Sequence, residues 1–344
     1  MRAVVLTGFG GPERLEHRDV PDPVPVAGEV RVRVGATALN NTDIWTREGK
    51  YGTSSDPDAT AGWRGEALSF PRIQGADVAG RIDQVGAGVP EERIGERVLL
   101  DPVLYEGGER ELVTAAYLGS ERDGGFAEYV TIPASNAHRI DSPLTDAELA
   151  TFPTAYTTAL RMLKRARVRS GDTVLVTGAS GGVGSALVQL CSVLGAGAIA
   201  VVGAGKEEQV RELGALATVR RDSSDLAYAV RSVAPEVDVV ADVVAGPMFS
   251  SLLEVLAPLG RYVVAGAIAG PVVDTDLRTV YLRQLELVGS SFGAHEDFAE
   301  VVEYAGDGRL RPLLAGTYPL ADLARAQRDF VAKKFFGKLV VEVS

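Results

Sequence analysis

Thr173-Val174-Leu175-Val176-Thr177 is an apolar, β-branched run that passes directly into Gly178-Ala179-Ser180-Gly181-Gly182-Val183-Gly184 and then into a helix-forming run, Ser185–Leu194. A strand, a glycine turn and a helix in that order restrict the fold more than any other segment of the chain. The glycines let the backbone turn tightly and come close to a ligand, while the start of the helix presents free N–H groups and a partial positive charge. Such a turn suits a dinucleotide pyrophosphate, with Ala179, Ser180, Gly181, Gly182, Val183 and Gly184 as its contacts. The strict fingerprint has Gly where Ala179 stands; Gly181 and Gly184 fill its other two positions.

The flanking texture agrees. From Thr145 onward the chain alternates apolar strands with helices: a helix over Asp146–Lys164, strands at Ala198–Val202, Val237–Ala241, Arg261–Ala265 and Leu285–Val288, and a helix at Glu207–Leu213. This repetition predicts a mainly parallel sheet with helices on both faces. Gly266, at the end of Arg261–Ala265, joins the expected cofactor contacts. Before Thr145 the reading is β. Gly28–Val34 alternates apolar and charged residues, and Arg2–Leu6, Val78–Val85 and Arg97–Leu100 are similar short runs punctuated by Gly and Pro. A barrel-like domain is expected there. Two long polar stretches, Gly52–Ser69 and Tyr105–Gly125, interrupt it as loops. The tail holds two helices and a strand, Lys338–Val343, expected to return to the first domain. The resulting division is 1–144, 145–291 and 292–344.

Composition removes several function classes. The 344 residues suit two domains. A net charge of −11 repels phosphate backbones and anionic membranes, so the expected partner is a small molecule and not a nucleic acid or a bilayer. No apolar run approaches the roughly 18 residues of a membrane span, and Gly8, Gly10 and Gly11 interrupt the N-terminus too early for a signal-peptide core. One Cys (Cys191) and three His (His17, His138, His295) allow no internal disulfide and no Cys/His zinc cluster. A cytoplasmic protein is expected. Cys191 reads as helix filler, and none of the three histidines has a nucleophile partner pattern.

The second strand of the βαβ unit ends at Val202-Gly203-Ala204-Gly205 without the carboxylate that normally holds a ribose 2′-hydroxyl. Lys206 follows, and Arg220-Arg221 closes the next strand. Missing acid and nearby cations favour a 2′-phosphate, hence NADP(H), with Lys206 and Arg221 as its contacts.

The chain resembles the medium-chain dehydrogenase/reductase superfamily over nearly all its length. The motifs are Gly28-Glu29-Val30, Asn40-Asn41-Thr42-Asp43, Gly75-Ala76-Asp77-Val78-Ala79-Gly80, Val85-Gly86-Ala87-Gly88-Val89, Gly95-Glu96-Arg97-Val98, Gly124-Gly125-Phe126-Ala127-Glu128-Tyr129, the cofactor turn, and Gly337-Lys338-Leu339-Val340. The resemblance implies an α/β fold: a GroES-like β-barrel catalytic domain built from both termini around an inserted Rossmann, doubly wound parallel-sheet cofactor domain. It also implies a homodimer joined through Leu285–Val288, and a nicotinamide-side contact at Thr158. In the zinc branch the metal ligands align with Asn40, Ala76 and about Thr154, none a replacement for those ligands, and Asp101–Gly125 lacks the four cysteines of that branch's structural lobe. Asn40 and Gly75-Ala76-Asp77 are instead similar to the zinc-free quinone oxidoreductase branch, as is Arg47-Glu48-Gly49-Lys50-Tyr51, whose Tyr is expected beside the nicotinamide with Trp45 nearby. Two features depart from that branch: the length of Gly52–Ser69, with Trp63, and Gln74 before Gly75.

Without a metal, hydride transfer suits a substrate that needs little polarisation, such as a quinone or an α,β-unsaturated carbonyl. The expected catalytic residues are Asn40, an amide donor to the developing oxyanion, Tyr51, a donor of a hydrogen bond or proton, and Thr42, a weaker candidate at the zinc branch's hydroxyl-relay position. The expected function is an NADPH-dependent, zinc-independent quinone or enone reductase. Its rivals are an alcohol or ketone dehydrogenase without zinc and a non-catalytic NADPH-binding protein.

Overall fold

The computed structural model describes residues 1–52, 56, 59–62 and 68–343. Trp63 and most of the Gly52–Ser69 stretch lie outside the described residues. The chain divides into two compact units, Met1–Thr154 with Ala294–Ser344, and Ala155–Gly293.

The first unit is built around the strand Glu29–Ala38, whose Val30, Val32 and Val34 point into the core while the charged residues between them face out. Asp77–Val85 lies antiparallel on one side of it and Lys338–Glu342 antiparallel on the other; Tyr129–Pro133 pairs with its first half. Arg97–Leu100 and Ala137–Arg139 extend the sheet at one end, and Leu314–Pro319 at the other. Leu15–Asp19, Arg2–Leu6 and Arg72–Ile73 form a small second sheet. The tail strand therefore does return to the first unit, as expected.

Register decides what meets what. Ala38 is opposite Asp77 on one side and Val340 on the other. Two residues further along this antiparallel pair, Asn40 comes level with Lys338. Three strands thus converge on one polar spot at the edge of an apolar core. The glycine motifs meet there too. Gly75 has φ +101°, and a Cβ on it would lie 2.8 Å from the Phe126 nitrogen; Gly125 N–H donates to the Gly75 carbonyl (2.7 Å). Only glycines allow two backbones to approach this closely.

The second unit is a six-stranded, all-parallel sheet. Its first strand, Thr173–Val176, lies in the middle; Gly197–Val202 and Ala217–Arg220 stand on one side, and Val237–Asp242, Leu256–Val264 and Glu286–Gly289 on the other. This doubly wound order puts a topological switch point beside the C-terminal end of Thr173–Val176, where such sheets bind ligands.

Three sequence expectations change, for the helix over Asp146–Lys164, the unit boundaries and the helix after the glycine turn. The single helix over Asp146–Lys164 is two, Asp146–Leu149 and Pro153–Arg165, because Pro153 lacks an N–H and favours the first position of a new helix. The short first helix carries a capping box, Thr145 with Glu148, and its Asp146 accepts from Arg97 (2.7 Å), which ties it to the first unit. The boundary accordingly falls at 154/155, not 144/145, and the return falls at 293/294, not 291/292. The helix after the glycine turn spans Gly182–Val193, so Gly182, Val183 and Gly184 form its first turn and are not part of the loop.

Candidate active site

The polar spot in the first unit is ordered by one buried cation. Lys338 is 4% exposed, and its ammonium donates to Asn40 Oδ1 (2.7 Å) and to Asp77 Oδ2, whose side chain is fully buried. Asp77 Oδ1 accepts from the Thr154 N–H (2.8 Å) and from the Thr154 hydroxyl. Because that hydroxyl has spent its proton on Asp77, Tyr117, 2.7 Å away, must be the donor to Thr154. Burial and the Asp77 charge hold the Tyr117 phenol well above its ordinary pKa.

Asn40 precedes the helix Asn41–Glu48. Its backbone N–H is held by Asp43 Oδ2 (2.7 Å). Its side chain is committed to Lys338, which leaves the amide Nδ2 buried and without a partner among the described residues. An orphaned buried donor costs roughly 1–3 kcal/mol and calls for a ligand or a water. Gln74 has a similar arrangement: Nε2 donates to the Asp43 carbonyl (2.9 Å), and Oε1 has no partner among the described residues. Burial, and secondarily the Asp77 charge, push the Asp43 carboxyl up to about 7. Tyr51 donates to Thr42 Oγ1 (2.8 Å) and meets Trp45 edge-on (5.7 Å between rings). Burial pushes its phenol up to about 12, so it keeps its proton at neutral pH.

The three expected catalytic residues thus fall into two groups, Asn40 on Lys338 and Tyr51 on Thr42, both at the N-terminal end of one short helix, because the Tyr51 hydroxyl reaches back to Thr42 in its first turn. Among the described residues no three His, Cys, Asp or Glu side chains come together as metal ligands. Asn40 is bonded to an ammonium, Ala76 has no donor atom in its side chain, and Thr154 is spent on Asp77. Reading the sequence left Lys338, Asp77, Tyr117 and Gln74 without roles. The detectable signal was Lys338 at the head of the apolar strand Leu339-Val340-Val341, and Asp77 before Val78-Ala79.

In the second unit, Ala179, Ser180 and Gly181 form the turn, with Gly178 in the left-handed region (φ +57°). A Cβ on Gly184 would sit 2.2 Å from the Gly178 carbonyl oxygen, so the helix can start this close to the strand only with glycine there. Gly181 caps the helix with no side-chain bond, and the first N–H groups of Gly182–Val193 have no intrahelical partners. Val183 and Ser180 are partly buried, and Ala179 is fully buried. Thr158 is partly buried on Pro153–Arg165. Gly266 lies against the Val243 carbonyl (3.0 Å from a Cβ), which accounts for a glycine there by packing alone. At the end of Gly197–Val202, a Cβ on Gly203 would lie 3.5 Å from Arg221 Nε. Partial burial, and then the Arg221 charge, hold the Lys206 ammonium below its ordinary pKa. Two cations therefore share the end of the strand. Cys191 is buried and pushed up to about 12, which makes it inert.

Residues 26–142 match the alcohol dehydrogenase GroES-like domain and residues 182–306 the zinc-binding dehydrogenase domain. A quinone oxidoreductase of Lama guanicoe is 30% identical, with 99% of this chain and 97% of that protein covered. The chain belongs to the medium-chain dehydrogenase/reductase superfamily. Within it, an acryloyl-coenzyme A reductase of Metallosphaera sedula is 28% identical over 99% of both proteins. A Sinorhizobium meliloti 1021 protein provisionally named an alcohol dehydrogenase superimposes with a TM-score of 0.96 and 55% identity, covering 99% of this chain and 96% of that one. The fold is that of the superfamily, a GroES-like domain and a Rossmann-type parallel sheet, and the chain is an oxidoreductase of this type. No helix among the described residues is long and apolar enough to cross a membrane.

Proposed function

We propose that this protein uses NADPH, without zinc, to reduce a carbon–carbon double bond conjugated to a carbonyl, in an enone, an unsaturated thioester or a quinone. The observation that carries the reading is Asn40: its amide oxygen is held by an ammonium, and its Nδ2 is a buried donor with no acceptor among the described residues. Relatives named for quinones and for acryloyl-coenzyme A support the substrate class, since both substrates carry a conjugated carbonyl.

The nicotinamide, when bound, supplies a hydride. As the conjugated carbon accepts it, charge collects on the substrate oxygen, and Asn40 Nδ2 donates to that oxygen. Tyr51, kept as a phenol by burial, is the proton source for the neighbouring carbon when its O–H turns to the substrate from Thr42 Oγ1, which accepts it here. The donor set around Asn40 does not suit zinc, and the bound lysine already supplies a positive charge. For the cofactor, Ala179–Gly184 would hold the pyrophosphate, Thr158 and Gly266 would border the nicotinamide half, and Lys206 with Arg221 would take the 2′-phosphate. A homodimer through the edge strand Glu286–Gly289 is part of the same reading. Leu287 on that strand is exposed, and the helix before it, Leu277–Leu282, buries none of its residues despite Leu277, Tyr281 and Leu282.

The test is NADPH oxidation by the purified protein against a panel of enones, enoyl thioesters, quinones and simple ketones. Turnover confined to the conjugated substrates supports the proposal. Oxidation of alcohols with NADP+ and no reduction of the conjugated panel would replace it with an alcohol dehydrogenase; tight NADPH binding with no turnover would replace it with a binding protein.

A further inference from the structure

The geometry points to Lys338 as a positioning residue: clamped by Asp77, its ammonium fixes and polarises the Asn40 amide so that Nδ2, and not Oδ1, is presented to the substrate oxygen. This rests on the reading of Asn40 as the oxyanion donor.

A buried lysine at the head of the apolar run Leu339-Val340-Val341 is poorly explained by stability. Replacing a buried ion pair with apolar groups of similar size is often neutral or stabilising, so the Lys338–Asp77 pair needs another reason to be there. Chemistry supplies one. An ammonium has three donors and no acceptor, so only the oxygen of the Asn40 amide can face it. The amide is thereby barred from turning over. In the turned-over state its oxygen would face the developing oxyanion and repel it. An amide whose oxygen accepts from a cation also has more strongly polarised N–H bonds, because hydrogen bonds in series strengthen one another. Asp77 has no freedom to release the lysine, since its other oxygen takes the Thr154 N–H and hydroxyl, and Tyr117 backs that hydroxyl. The Asn40 main chain is fixed independently by Asp43. The whole chain of bonds ends in one place, the Nδ2 that has no partner among the described residues.

The test uses the double variant D77N/K338M, which removes both charges together and leaves an amide oxygen at position 77 able to accept from Thr154. The comparison set is the wild type, N40A and the triple variant N40A/D77N/K338M, assayed with NADPH and whichever conjugated substrate the wild type turns over. Removing an oxyanion donor costs roughly 10²–10³ in kcat; releasing its orientation is expected to cost about 10-fold or more in kcat by the same logic. KM and the NADPH dissociation constant should move little. The triple variant should equal N40A, since Lys338 acts through Asn40. An unchanged kcat in D77N/K338M, or losses that multiply in the triple variant, would overturn the assignment while leaving the reductase reading intact. If the wild type reduces nothing in the panel, the reductase reading fails. Lys338 is then judged by the Asn40 side-chain NH2 resonances, identified as the pair lost in N40A. A sharp, shifted pair that collapses to ordinary shifts in D77N/K338M supports the clamp; an unchanged pair refutes it.

Discussion

Placing a carboxylate at Gly203 should reverse the cofactor preference. Gly203 ends the second strand of the parallel sheet, outside the left-handed region, so an L-residue fits its backbone. Its Cβ would stand 3.5 Å from Arg221 Nε and 3.6 Å from Cζ, which puts an introduced carboxylate in direct reach of the guanidinium. Two unit charges about 4 Å apart interact by about 4 kcal/mol at an effective dielectric of 20. Arg221 is exposed, so screening reduces this to about 0.2–1 kcal/mol, or up to about 5-fold in binding, before the direct repulsion of the phosphate is added. The new acid occupies Arg221, repels a 2′-phosphate and accepts from a 2′-hydroxyl. Gly203→Asp should therefore weaken NADPH by about 10-fold or more and tighten NADH. Lys206→Ala should weaken NADPH by about 10-fold and leave NADH unchanged, since a charged hydrogen bond is worth about 1.5–3 kcal/mol before screening. The lowered pKa of Lys206 adds a sign. NADPH affinity should fall as pH rises toward the lysine's titration, and NADH affinity should not. Cofactor dissociation constants by fluorescence titration, at low and high salt, make the comparison. Equal affinity of the wild type for NADH and NADPH, or equal weakening of both by Lys206→Ala, would refute the phosphate site.

His295 Nδ1 bonds Asp101 (2.6 Å) and its ring stacks on Tyr105 (4.1 Å), and the Asp101 bond raises its pKa. A raised folded-state pKa stabilises the protein below the ordinary histidine range and is lost as pH rises through the folded value, so thermal melts of wild type against His295→Asn should converge at alkaline pH and separate under mild acid. Asp43, raised to about 7, should likewise make stability fall as pH rises from about 4 to 7; Asp43→Asn should flatten that slope in denaturant titrations. Tyr51→Phe should lower kcat with a conjugated substrate more than it weakens NADPH binding, the outcome expected of the proposed proton source. Light scattering should give a dimer, and Leu287→Asp on the exposed edge strand should give a monomer.

The fold was legible because its signals are local. The run Thr173–Gly184 carries its strand, turn and helix within a dozen residues, and the alternation of Glu29–Ala38 announces a half-buried strand. Boundaries were less legible. The helix Asp146–Leu149 belongs to the first unit through the long-range Arg97–Asp146 bond, which no local pattern announces. The same holds for the site. Asn40, Thr42 and Tyr51 sit on or beside one short helix and were found by motif. Lys338 reaches Asn40 only through strand register across nearly three hundred residues of chain, Asp77 joins Lys338 through the register of a third strand, and their charges look like surface residues until the register is known.

In the proposed mechanism an amide, not a metal, stabilises the charge formed on the substrate. The most direct test is the single-turnover rate of NADPH oxidation with a conjugated substrate, measured for chelator-treated wild type and Asn40→Ala. An undiminished rate is expected for the chelated wild type and a loss of roughly 10²–10³ for Asn40→Ala. A rate abolished by chelation and restored by zinc, or an undiminished rate in Asn40→Ala, would contradict this mechanism.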